Sequence, residues 1–367
     1  MFIGVPKEIK NREYRVGLTP ESVMELTQMG HKVCMETHAG LGIGADDGHY
    51  EKAGAIIYQE PEEIYAVAEL IVKVKEPLQS EWDLIHPGQA LFTYFHLAAD
   101  LEQVLALQRR DSICIAYETV SSDNGSRPLL TPMSEVAGRL SIQVGAHCLE
   151  KAQGGAGILL GGVPGVEPAK VLIIGGGIVG ENAISMALGL GAEVTVLDNN
   201  MEILEHLSHQ FGARLITLFS SNSVLEEKIC QSDLVIGSVL IPGASAPKLV
   251  TREMVKSMKE NSVLVDVAID QGGCFETSHP TTHDQPTYSV HHVLHYCVTN
   301  MPGAVPKTSS YALNHVTLPF VKCLAEEGID KALKNHAHLR DGLNIYRGDI
   351  TYPAVAESLG LKYHPPF

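Results

Sequence analysis

Several side chains able to work on a small carbonyl or amine sit just beyond short apolar runs of the chain. His96 closes "QALFTYFH", Asp270 follows "VLVDVAI", Arg15 lies in "KNREYRVGLTP", and Lys73 and Lys75 lie in "LIVKVKEP". Imidazole titrates near neutrality and is the usual group to polarise a keto oxygen and exchange its proton. A guanidinium offers a planar fork that suits a small carboxylate. The two lysines fall on one face of what reads as a single strand, an awkward arrangement in a buried sheet unless one of them has an anionic partner. Asp270 is followed by Gly272 and Gly273, which let the chain turn, and Asp266 lies earlier in the same run. A carboxylate there can hold water or a substrate nitrogen, or shuttle a proton. Taken singly, each group has a plainer role open to it: solvated arginine, structural histidine, turn aspartate.

The elements that must carry these groups are regular. From Lys170 onward "KVLIIG", "AEVTVLD", "RLITLF", "DLVIGSV" and "SVLVDVA" are short β-rich apolar runs, separated by helix-patterned stretches such as "ENAISMALGLG" and "MEILEHLSHQFG". Alternation of this kind implies right-handed crossovers and a parallel sheet covered on both faces. The first 130 residues repeat the pattern with different sequences, and Thr19-Pro20-Glu21 is a helix start with Thr as N-cap and Pro at the first helical position. "SSDNGSRPLLTP" and "NMPGAVPKTSS" are rich in turn formers and mark boundaries. The runs after the second boundary read as helices that pack back on the first domain. The reading is therefore α/β, two Rossmann-like doubly wound parallel-sheet domains with a cleft between them: residues 1–130 plus 307–367 as a discontinuous substrate domain, and 131–306 as the nucleotide domain.

Within "KVLIIGGGIVG", Gly175, Gly177 and Gly180 have G-x-G-x-x-G spacing between a strand and a helix. The first glycine makes the tight turn, the second admits a pyrophosphate, and the third lets helix and strand pack closely. Three glycines alone are a weak signal in a chain with 34. Asp198, which ends the next strand, strengthens it, since an acid there accepts hydrogen bonds from a ribose and repels a 2′-phosphate, favouring NAD over NADP.

Composition sets limits on partners. A formal net charge of −16 makes the average surface repel phosphate backbones and anionic lipid, so neither nucleic acid nor a membrane surface is an expected partner. The N-terminus "MFIGVPKEIK" has no secretory pattern, and no apolar run reaches the roughly 18 residues of a spanning helix; the expected location is cytoplasmic. Seven cysteines occur singly, without Cys/His spacing suited to zinc, and no metal is expected. The histidine-rich run "SVHHVLHY" alternates like a strand.

Together these residues carry a resemblance to the alanine dehydrogenases and the NAD-binding part of pyridine nucleotide transhydrogenases. It runs from "GVPKEIKNREYRVGLTP" through "VKVKEP", "FTYFHLA", "TPMSEVAGRLS", "GGVPGVEPAKVLIIGGGIVG", "VLIPGASAPKLV" and "VDVAIDQGGCFETSHPTTHDQPTY" to "NMPGAVPKTSSYAL", nearly the whole chain. The resemblance implies reversible oxidative deamination of L-alanine to pyruvate and ammonium with NAD. By it, Arg15 and Lys75 hold the substrate carboxylate and carbonyl region, His96 exchanges a proton with the substrate oxygen, and Asp270 assists the amine and the attacking water. Ser134 meets the pyrophosphate, while Ile178, Asp198, Ser220, Val239 and Leu240 line the cofactor. Val267, Ala268, Ile269 and Asp270, with Val298, Thr299, Asn300 and Met301, flank the nicotinamide. Two positions depart from the family pattern: Ile203 and His279 stand where a cation is common. The resemblance also implies a homohexamer. The competing reading is the NAD(H)-binding subunit of a proton-translocating transhydrogenase.

Overall fold

The computed structural model describes residues 1–239 and 246–367. By contact density the chain separates into two compact units, Met1–Met133 with Val305–Phe367, and Ser134–Ala304.

The first unit holds β1 (Phe2–Val5), β2 (Lys32–Glu36), β3 (Ile56–Tyr58), β4 (Leu70–Val72), β5 (Ala90–Thr93) and β6 (Ile113–Ala116), all parallel, in spatial order β3-β2-β1-β4-β5-β6. Central strands such as Leu70–Val72 and Ala90–Thr93 are buried at every position, which explains their unbroken apolar runs. The core on one side gathers Ile64, Tyr65, Leu91, Val104 and Leu107 from strands and crossover helices.

The second unit holds β7 (Lys170–Ile174), β8 (Glu193–Asp198), β9 (Leu215–Phe219), β10 (Leu234–Gly237), β11 (Val263–Asp266), β12 (Thr287–Val290) and β13 (Val293–Tyr296). Its order is β12-β13-β11-β10-β7-β8-β9, parallel except for β12. Both units thus share the same winding: the chain starts in the middle, moves to one side, then crosses to the other. In such sheets ligands bind beyond the carboxyl ends of the strands where the winding reverses. That point lies between β1 and β4 in one unit and between β7 and β10 in the other.

Three local features differ from what the sequence suggests. The tail is not helical throughout: β14 (Leu343–Tyr346) adds to the first sheet antiparallel to β6, and β15 (Asp349–Ile350) pairs antiparallel with β14 at the edge, each too short to stand out in a helix-rich tail. "SVHHVLHY" is not one strand but a hairpin, with His291 and His292 at φ 52° and 62° as its two turn residues. Positive φ at both centres is the turn geometry whose twist matches the flanking strands. Finally, β4 ends at Val72, so Lys73 and Lys75 lie beyond it rather than on one strand face.

Candidate active site

In the first unit the segment after β1 crosses the end of β4. Gly17 makes this possible, because a Cβ there would stand 2.3 Å from Val72 O. The returning helix Pro306–Glu327 holds the segment in place: Ser310 Oγ accepts Val16 N–H at 3.1 Å, Asn314 Oδ1 accepts Thr19 N–H at 2.8 Å, and Asn314 Nδ2 donates to Gly17 O at 3.1 Å. Arg15 and the residues after β4 are thereby brought to one place.

Two buried carboxylates on this segment arrange the cations. Glu13 accepts from Arg15 Nε at 2.7 Å and Nη2 at 2.6 Å, and Arg15 Nη1 lies 3.1 Å from Met133 Sδ. Burial opposes the guanidinium's charge, but Glu13 more than offsets it, and the Arg15 pKa is raised. Glu8 accepts Val74 N–H at 2.7 Å and Lys75 N–H at 3.3 Å, fixing the backbone from which Lys75 projects. The anionic partner expected for one of the two lysines belongs to Lys73, whose Nζ is 2.8 Å from Glu81 and 3.5 Å from Glu8 with 1% of its side chain exposed. Burial raises the Glu8 pKa, partly countered by Lys73.

His96 follows β5 in the left-handed region at φ 54°, and Glu118 Oε1 accepts its N–H at 2.6 Å. Its ring is exposed and stacks on that of Tyr94 at 6.2 Å; the Tyr94 hydroxyl donates to Leu129 O and acts electrostatically on Arg15. The first unit therefore links Arg15, Glu13, Glu8 and Lys75 on one side with Tyr94 and His96 on the other.

In the second unit the glycine motif has the form a dinucleotide needs. Gly175 has φ 99°, and a Cβ on Gly180 would lie 1.9 Å from Gly175 O, so only glycine lets the helix Ile178–Gly189 approach the turn this closely. A Cβ on Gly177 would meet nothing within 4 Å, and no side chain caps the helix that begins after it. That leaves an open surface of backbone N–H groups with the helix dipole behind it. Asp198, at the carboxyl end of β8, accepts Gly176 N–H at 2.7 Å and Asn200 N–H at 2.8 Å. Ser220 N–H donates to Asp198 O at 2.9 Å, which places Ser220 beside the acid. Ile203, one of the two departures, supports the turn from below: a Cβ on Gly176 would come within 2.7 Å of its methyl. The other, His279, stacks on Tyr288 at 3.7 Å. Ile178 is exposed, Ser134 and Val239 are half-buried, and Leu240 lies outside the described residues.

Asp270 is not at the strand end. The residue there is Asp266, fully buried, whose carboxylate accepts from Cys274 N–H at 3.0 Å and Ser278 Oγ at 2.5 Å; burial raises its pKa, countered first by Ser278. It closes a loop whose short helix Val267–Gln271 presents Asp270 to solvent. Asp270 Oδ1 accepts Asn300 N–H at 3.4 Å, which joins the two stretches 267–270 and 298–301. Glu8, Glu13 and Glu118 escaped sequence reading because an acid in "PKE", "NRE" or "YET" resembles a solvated one, and burial is set by distant segments.

The comparisons agree along nearly all of the chain. Family models described as alanine dehydrogenase/PNT, N-terminal domain and C-terminal domain, match residues 4–137 and 141–353. The chain belongs to the alanine dehydrogenase/PNT family. It is 57% identical over 363 residues to an alanine dehydrogenase of Halomonas elongata, covering 99% of this chain and 98% of that one. A solved L-alanine dehydrogenase superposes with TM-score 0.96 at 52% identity, covering 98% and 99% of the two chains. A transhydrogenase from Sinorhizobium meliloti aligns less closely, with TM-score 0.83 at 26% identity over 96% of this chain and 100% of that one. Among the described residues no helix is long and apolar enough to cross a membrane.

Proposed function

We propose that this family member is a cytoplasmic NAD-dependent L-alanine dehydrogenase, converting L-alanine and water to pyruvate and ammonium reversibly, and that it assembles as a homohexamer. The observation that carries the activity is 57% identity over essentially the full length of an alanine dehydrogenase, against 26% for the transhydrogenase.

The residues present fit NAD. Gly175, Gly177 and Gly180 would admit the pyrophosphate with Ser134 beside it, and Asp198 would take the ribose hydroxyls and repel a 2′-phosphate. Ile178, Ser220 and Val239 would line the cofactor, and Val267, Ala268, Ile269, Val298, Thr299, Asn300 and Met301 the nicotinamide. When bound, NAD accepts the hydride from the substrate.

The chain's own groups do the rest. Lys75 and Arg15 bind the substrate carboxylate and carbonyl region. Glu13 holds Nε and Nη2 of Arg15 and so orients the guanidinium that, with Lys75, would meet the substrate carboxylate. His96 holds the proton that moves to and from the substrate oxygen, and Asp270 orients the amine and the water that replaces it. The test is reduced-nicotinamide absorbance with purified protein, NAD and a panel of amino acids. L-Alanine-dependent turnover lost in His96→Ala supports the reading; turnover undiminished in that variant removes His96 from it.

A further inference from the structure

The long helix Pro306–Glu327 stops at Gly328, whose φ of 82° turns the chain into the helix Ile329–Asn335. The reversal gathers three different metal-ligating atoms. Cys323 Sγ is 3.9 Å from Glu327 Oε1, His336 Nε2 is 2.7 Å from the same oxygen, and all three donors lie within 4.8 Å of one another. Among the described residues no other such group of three ligands occurs. Cys323 and Glu327 are four apart and so share a helix face, while His336 comes from the cap of the next helix.

The surroundings favour a cation. Asn335 Nδ2 donates to the other oxygen of Glu327 at 2.8 Å, orienting the carboxylate as outer partners of metal ligands do. Glu326 and Glu327 both place negative charge at Cys323, which a bound cation would offset. Thiol, imidazole and carboxylate together suit zinc-class ions, whereas calcium and magnesium take oxygen donors. A tetrahedral zinc sets its ligand atoms roughly 3.5 Å apart, so His336 and Glu327 would part and Cys323 would close in, by up to about an ångström, in side chains that are half-buried or exposed.

We propose that Cys323, Glu327 and His336 bind one zinc-class divalent ion, Cys323 as thiolate with its proton released to solvent, and water in the fourth position. This site is independent of the alanine dehydrogenase reading, since none of its residues belongs to the proposed catalytic set. The test is titration of chelator-stripped, full-length protein with Zn²⁺ against a chromophoric competitor, and with Co²⁺ followed by absorption. One ion per chain and a cobalt–thiolate band are expected. Cys323→Ser should abolish the band, and Cys323→Ser and His336→Gln should each weaken zinc binding by roughly 10- to 100-fold, with Cys230→Ser unchanged. Absence of the band in the wild type, or wild-type affinity in His336→Gln, whose exposed side chain can change without unfolding the chain, overturns the proposal.

Discussion

At the scale of single residues, the positioning of charge matters more than its presence. Asp270 reaches solvent on a short turn, so Asp270→Asn keeps the shape and removes the carboxylate proposed to orient the amine and the water. Its turnover should fall by about 10² to 10⁴, with circular dichroism unchanged. Glu13 is different, since both of its oxygens hold Arg15 while both side chains are nearly inaccessible. Glu13→Gln leaves one acceptor where two are needed and lets the guanidinium drift. KM for pyruvate and for L-alanine should rise by about 10-fold or more, the Kd for NAD should hold, and Glu13→Asp should recover part of the loss. If KM is unchanged in Glu13→Gln but raised in Arg15→Met, Arg15 binds substrate without help from Glu13.

The scale of elements is where sequence reading was strongest and where its misses are instructive. Strands buried on both faces write themselves as apolar runs, and the turn at Gly175 to Gly180 is legible because a side chain at the third glycine has nowhere to go. Gly180→Ala should lower Tm by the equivalent of about 1–3 kcal/mol and weaken NAD binding, read by thermal melts and by quenching of NADH fluorescence. The hairpin of β12 and β13 was not legible, because His291 and His292 in a turn requiring positive φ look like two members of a strand. That hairpin buries His295, whose Nε2 lies 2.8 Å from Thr277 Oγ1, and burial pushes its pKa down from 6.5 to about 4. The unfolded chain takes a proton below pH 6.5 that the folded chain refuses until about pH 4. Stability should therefore be intact above that window and decline through it as pH falls, by up to about 3 kcal/mol. Urea titrations across the window should show the decline, and His295→Gln should flatten it.

At the scale of the whole chain, two sheets with one winding order place their chemistry by the same rule, beyond the strand ends where the order reverses. The apolar rhythm made the α/β class and the doubly wound sheets readable, since it repeats wherever a parallel strand is covered on both sides. It could not show β14 and β15, because a four-residue and a two-residue strand leave no periodicity. Nor could it show which acids are buried, as that depends on Ser310 and Asn314 returning from almost 300 residues away to hold the segment after β1. Product analysis decides whether the proposed catalysis occurs. Purified protein given pyruvate, ammonium and NADH should form one L-alanine for each NADH oxidised, with NADPH a far poorer reductant. NADH left unconsumed, or consumed without alanine appearing, would contradict the account.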